Sequence, residues 1–191
     1  MEYNLLYINN RADLRQWLTK YSTIEKECWI IVKHGNPKTD NKIFWYLDAV
    51  EETLCFGWID GKHKNIQGFG HAQKLSPRTK NSPWSELNKE RVRRLEKLGL
   101  MTDLGRKVLP DMSKGSFVIC DDIKNLLKND KILSKNFYSF PPLYRRVRIN
   151  AIQREKNKLD VYERMKKNFI EKTKHGEMYG LWNDYGRLLD Y

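Results

Sequence analysis

Residues 28–32 read CWIIV, an uninterrupted apolar run rich in β-branched side chains. Such a run predicts a strand buried on both faces, and a strand of that kind ties the fold to a sheet packed with helices. The surrounding pattern supplies both. Residues 3–8 form a short apolar strand, and 12–21 follow as a helix capped by Asn9 or Asn10. HGNPKTDN (34–41) is a loop by composition, 43–56 a helix, and GWIDGK turns out of it. KNIQGFGHAQKL (64–75) alternates loosely around Gly68 and Gly70 and predicts a strand or hairpin lying close to other backbone. After the loop SPRTKNSP, Ser82 is the expected N-cap and Pro83 the first position of a helix over 84–98 that Gly99 stops. Thr102 opens a short helix over 103–109, before Pro110.

Beyond residue 112 the pattern is helical, over 121–129, 131–138, 143–156 and 159–173, with Pro141 and Pro142 preceding the last two. The expected fold class is therefore α+β: a small sheet packed with helices over 1–110, then a mainly helical region over 111–191. No repeat or low-complexity tract interrupts it.

The chain has 191 residues, 40% of them apolar and 12% aromatic, which suits a globular protein with a sizeable core. No run approaches the roughly 18 apolar residues of a membrane span. The first residues lack the basic-then-apolar order of a signal peptide. Cys28, Cys55 and Cys120 are odd in number and far apart, as expected of a reduced, cytoplasmic protein. The net charge is +12, unevenly spread. Residues 1–60 hold seven Lys/Arg against nine Asp/Glu, whereas 62–110 hold twelve against four. That asymmetry fits either a polyanion-facing surface or a solvated, lysine-rich one.

Two stretches stand out chemically. LCFGWIDGKHK (54–64) sets Asp60 among apolar side chains and between Gly57 and Gly61, and a buried carboxylate is costly unless paired. Lys62 follows directly. In WSELNKERVRRLEKL (84–98), Trp84, Leu87, Val92, Leu95 and Leu98 share one stripe at about 100° per residue, and Glu86, Lys89, Glu90, Arg93 and Lys97 fall opposite. Asn88 and Arg91 land inside the apolar stripe. An arginine there needs an anionic partner or a route to water, and Asp60 is the natural candidate. One reading is a buried Asp60–Arg91 salt bridge that pins the helix to the sheet. The other is a cleft floored by Asp60, Asn88 and Arg91 and walled by Trp58 and Trp84. Ser85 near the helix N-terminus and Arg78 in the preceding loop would be further anion contacts.

Catalytic and metal signals fail. Cys55 lies one turn from Glu51 and Glu52 and at a helix C-terminus, both of which disfavour a thiolate. His34, His63, His71 and His175 have no metal-ligand spacing, so no metal is expected. No phosphate-binding glycine loop, dinucleotide fingerprint or nucleophile elbow is present, and no cofactor is expected.

TLCFGWIDGK (53–62), SPRT (76–79) and SPWSELNKERVRRLEKLGLMTDLG (82–105) together resemble the YdeI/OmpD-associated family, also called bacteriocin-protection proteins. FPPLYRR (140–146) is similar to that family's C-terminal segment. The chain then departs from the pattern: Lys156 is kept, but Asp160 and Val161 stand where a threonine and an arginine would fall. The resemblance implies an α+β domain and a link to stress or bacteriocin tolerance.

Three functions follow as expectations. The first is a Trp-lined cleft that binds a small anionic or nucleotide-like ligand through Trp58, Asp60, Lys62, Arg78, Trp84, Ser85, Asn88 and Arg91. The second is nucleic-acid binding by the basic surface of 62–110. The third is an enzyme using Asp60 as general base, which an adjacent arginine would oppose by lowering the carboxyl pKa.

Overall fold

A computed structural model describes residues 4–37 and 43–191. The fold is α+β, and the chain divides into two compact units. The first comprises 1–83, 91–110 and Tyr191; the second comprises 84–90 and 111–190. Residues 84–90 thus group with the helical region that follows residue 110.

In the first unit, β1 (Leu5–Leu6) runs parallel to β2 (Cys28–Ile31), and the hairpin of β3 (Trp58–Ile66) and β4 (Gly70–Pro77) adds antiparallel strands in the order β1-β2-β4-β3. Residue 3, expected to open the first strand, lies outside the described residues, as do 38–41 of the expected loop. Helix α1 (Arg11–Tyr21) is capped by Asn10, whose side chain accepts from the Asp13 amide. Helix α2 (Tyr46–Cys55) starts three residues later than expected because Trp45 is extended and pairs with Lys33 beside the sheet.

The first three residues of CWIIV are buried, whereas Ile31 is exposed. Paired positions place Cys28, Ile30, Leu75, Trp58 and Asp60 on one face of the sheet. Helix α1 meets that face through Trp17, which sits edge-on to Trp58 with ring centres 5.7 Å apart. The opposite face carries a smaller cluster of Leu5, Trp29, Ile66 and Ala72.

Helix α3 (Glu86–Lys97) spans the division between the units. It starts two residues later than expected, with Ser85 rather than Ser82 at its head: Ser85 Oγ accepts from the Asn88 amide at 3.1 Å. Ser82 instead closes a turn by accepting from the Thr79 amide. Gly99 ends the helix as expected, in a left-handed conformation, and the Leu100 amide reaches back to the Leu95 carbonyl. Helix α4 (Asp103–Arg106) is capped by Thr102.

The second unit is built from α5 (Asp121–Asn129), α6 (Lys131–Ser139), α7 (Pro142–Gln153) and α8 (Leu159–Lys174), after a 3-10 turn at Lys114–Ser116. Ile123, Leu127, Leu133, Phe137, Ile149, Ile152, Tyr162 and Phe169 form its core. Glu86 and Glu90, expected on a solvated face, are buried here. Arg146 of α7 is the reason, reaching Glu90 at 3.2 Å and Glu86 at 3.6 Å.

Among the described residues no helix is long and apolar enough to cross a membrane.

Candidate functional site

The eight residues expected to line one cleft divide between the two units, with Trp84, Ser85 and Asn88 in the second and the other five in the first. Trp58 is 1% exposed, and its indole N–H donates to the Ser22 carbonyl at 3.1 Å. It is a core side chain with no face to offer a ligand, because strand alternation turns it toward α1. Asp60, on the same sheet face, accepts a hydrogen bond from the Tyr46 hydroxyl at the start of α2. The carboxylate is thus satisfied by a phenol and not by Arg91, which corrects the expected salt bridge.

Arg78 is buried, and its guanidinium donates to the Pro83 carbonyl at 3.2 Å, so it braces its own loop. Arg91 is half-buried and Lys62 exposed, both in the first unit. Trp84, Ser85 and Asn88 are half-buried in the second unit, and Ser85 is occupied as the cap of α3. Gly57 is required at its position: its φ is +74°, and an added Cβ would stand 3.0 Å from the Leu104 carbonyl oxygen. At Gly61 an added Cβ would meet only Lys74, at 3.8 Å.

Burial pushes the Cys28 and Cys55 thiols up to about 12, aided at Cys55 by Glu52. These are packing residues, in keeping with the local charges around Cys55.

The exposed chemistry of the first unit gathers elsewhere, around the β3–β4 hairpin and the end of β2. From Gly61 to Ser85 the sequence has five Lys/Arg and two His and not one acid, a signal readable without a structure. Within the hairpin Lys62, His63, Lys64 and His71 are all exposed. At its turn Phe69 is 46% exposed and meets the 78%-exposed Tyr7 edge-on, with ring centres 6.0 Å apart. Both rings line a groove of about 570 Å³ whose other walls include Ile31, Lys33 and Phe44.

A second pocket, of about 340 Å³, is lined by His34, His63 and His71 with Ala72. A β-bulge brings the three together. Asp60 pairs with Leu75, but His63 rather than Lys62 pairs with Gln73, so one extra residue enters β3. That insertion turns His63 to the face that also carries Asn65 and His71. Buried Gln73 holds the bulge, donating to the Gly61 carbonyl at 2.8 Å. His34 is fixed by stacking on Tyr46, ring centres 4.6 Å apart. Among the described residues no three His, Cys, Asp or Glu side chains stand close enough to hold a metal ion. Sequence spacing could not show this grouping, since positions 34, 63 and 71 meet only through the β2-β4-β3 order.

The chain matches no curated protein and no solved structure. Residues 6–108, more than half of the chain and all of the sheet from Leu6 onward, match a domain of unknown function, DUF8412, and the protein belongs to that family.

Proposed function

We propose that this protein binds single-stranded nucleic acid on the exposed end of its sheet, with a base against Tyr7 and Phe69 and the backbone along the basic hairpin. The observation that carries the reading is the exposed Tyr7–Phe69 pair in a groove with room for a base, beside Lys33. Aromatic platforms flanked by cations bind strands with little sequence preference, because every base has a π-face and every linkage a charge. The acid-free run from Gly61 to Ser85 supports it further, since no acid follows Asp60 along the hairpin to repel phosphate. A small nucleotide-like ligand would use the same groove. The residues 53–105 that resemble the YdeI/OmpD-associated proteins add a bacterial setting in stress or bacteriocin tolerance to this proposal.

The test is fluorescence anisotropy with a labelled oligothymidine over a range of salt. Each phosphate contact contributes about −0.7 to the log–log salt slope of single-strand binding, so the Lys33→Ala/Lys62→Ala double variant should flatten the slope by about 1.4. Phe69→Ala should weaken binding by about 1–3 kcal/mol at any salt. A wild-type slope near zero, or equal affinity in all variants, would overturn the reading.

A further inference from the structure

Three of the four histidines in the chain line one pocket, although they come from the segment after β2, from β3 and from β4. Two features show that the arrangement is held and not accidental crowding. The β-bulge between Asp60 and His63 sets His63 on the face of His71, and a buried glutamine secures it. The Tyr46 ring backs His34 and passes its own hydroxyl to Asp60. The three imidazoles do not stand close enough together to hold one metal ion, and a pocket of about 340 Å³ has room for a polyatomic group. Imidazoles gain charge between about pH 5 and 8, so the ligand that profits from three of them is an anion.

We propose that the histidine pocket is a phosphate subsite whose affinity rises as the pH falls; this deepens the nucleic-acid reading above and rests on it. The charged groups on the elements that meet here favour the same sign. Lys33 lies beside His34 in the chain, and Lys62 and Lys64 flank His63. Of the acids, Asp60 accepts from the hydroxyl of Tyr46, the ring that backs His34, and Asp48 of α2 faces Arg11 at 4.0 Å. Lys74 of β4 is paired with Glu27. Protonation therefore adds up to three positive charges to a pocket with no carboxylate among its lining residues.

The experiment compares wild type with the His34→Gln/His63→Gln/His71→Gln variant, whose changes are all at exposed positions. Oligothymidine affinity is measured at about pH 5.8 and 7.8 at fixed ionic strength, with the expectation that wild type tightens roughly tenfold or more at the lower pH and the variant stays flat. In parallel, pyrophosphate is titrated into wild type while the imidazole proton resonances are followed, with exposed His175 as the internal control. Shifts at His34, His63 and His71 but not at His175, at the lower pH, support the subsite. The proposal is overturned if the variant tightens as much as wild type, or if pyrophosphate leaves the three resonances where they were. If pyrophosphate moves the three imidazoles but no oligonucleotide binds at either pH, the nucleic-acid reading falls while the phosphate subsite stands.

Discussion

Glu51 of α2 is fully buried, yet two arginines reach it: Arg11 at 2.6 Å and Arg94 at 2.8 Å. Its neighbour Glu52, also buried, takes Arg11 and, at 2.8 Å, Arg15. Arg15 in turn donates to the Leu100 carbonyl at 2.7 Å. The network thus fastens α1, α2 and the end of α3 to one another and sets where α2, with Tyr46 at its head, meets the sheet. Burial alone would lower the Arg11 pKa, but attraction from Glu52 and Glu51 outweighs it and holds the group above its usual value.

Replacing Glu51 by glutamine keeps the shape and removes the charge. Breaking a buried ion pair from one side costs about 3–5 kcal/mol. The stranded arginines here are 31% and 18% exposed and can turn partly to water, which places Glu51→Gln near the lower end, about 3 kcal/mol. For a chain of this size that corresponds to a Tm lower by roughly 6–12 °C. Urea unfolding followed by circular dichroism at neutral pH would measure it, with the Arg94→Met single and the double variant closing a cycle. A loss below about 1 kcal/mol, the range of surface pairs, or a coupling near zero would refute the account of these carboxylates.

Two further predictions concern single sites. Asp122 is partly buried, which by itself would raise its carboxyl pKa, but hydrogen bonds from Cys120, Tyr162 and Lys156 hold it well below the ordinary carboxylate range. A depressed folded-state value contributes stability that is present above the unfolded value and is lost as pH falls toward the folded one. The stability gap between wild type and Asp122→Asn should accordingly be full at neutral pH and shrink below about pH 4; a gap that stays constant down to pH 2 would contradict the assignment. At Gly105 an added Cβ would stand 2.3 Å from the Cys55 carbonyl oxygen. Backbone on both sides leaves little room to yield, so Gly105→Ala should cost about 1–3 kcal/mol in the same urea assay, and an unchanged midpoint would show that α4 can move away.

Much of the architecture is legible in local chemistry. Asn10 caps α1, Gly99 ends α3, and the four C-terminal helices fall within a few residues of their expected bounds, because caps and 3.6-residue periodicity act over short stretches. What escapes the sequence depends on distant partners. Glu86 and Glu90 read as a solvated face until Arg146, more than fifty residues on, arrives to pair with them. Trp58 reads as a cleft wall because its indole is near a carboxylate in sequence, but strand alternation sends it under α1. Asp60 and Arg91 read as partners because each is a charge in apolar company, but the Asp60 carboxylate accepts from a phenol fourteen residues upstream. The histidine pocket depends on strand order and on one inserted residue in β3, neither of which composition or spacing reveals.

The most direct test of the central claim is a map of amide chemical-shift changes on adding oligothymidine to the uniformly labelled protein. The account predicts that the changes concentrate at residues 5–9, 31–34 and 62–71, around Tyr7, Phe69 and the basic hairpin. Changes confined to α5–α8, or none at saturating oligonucleotide, would contradict it.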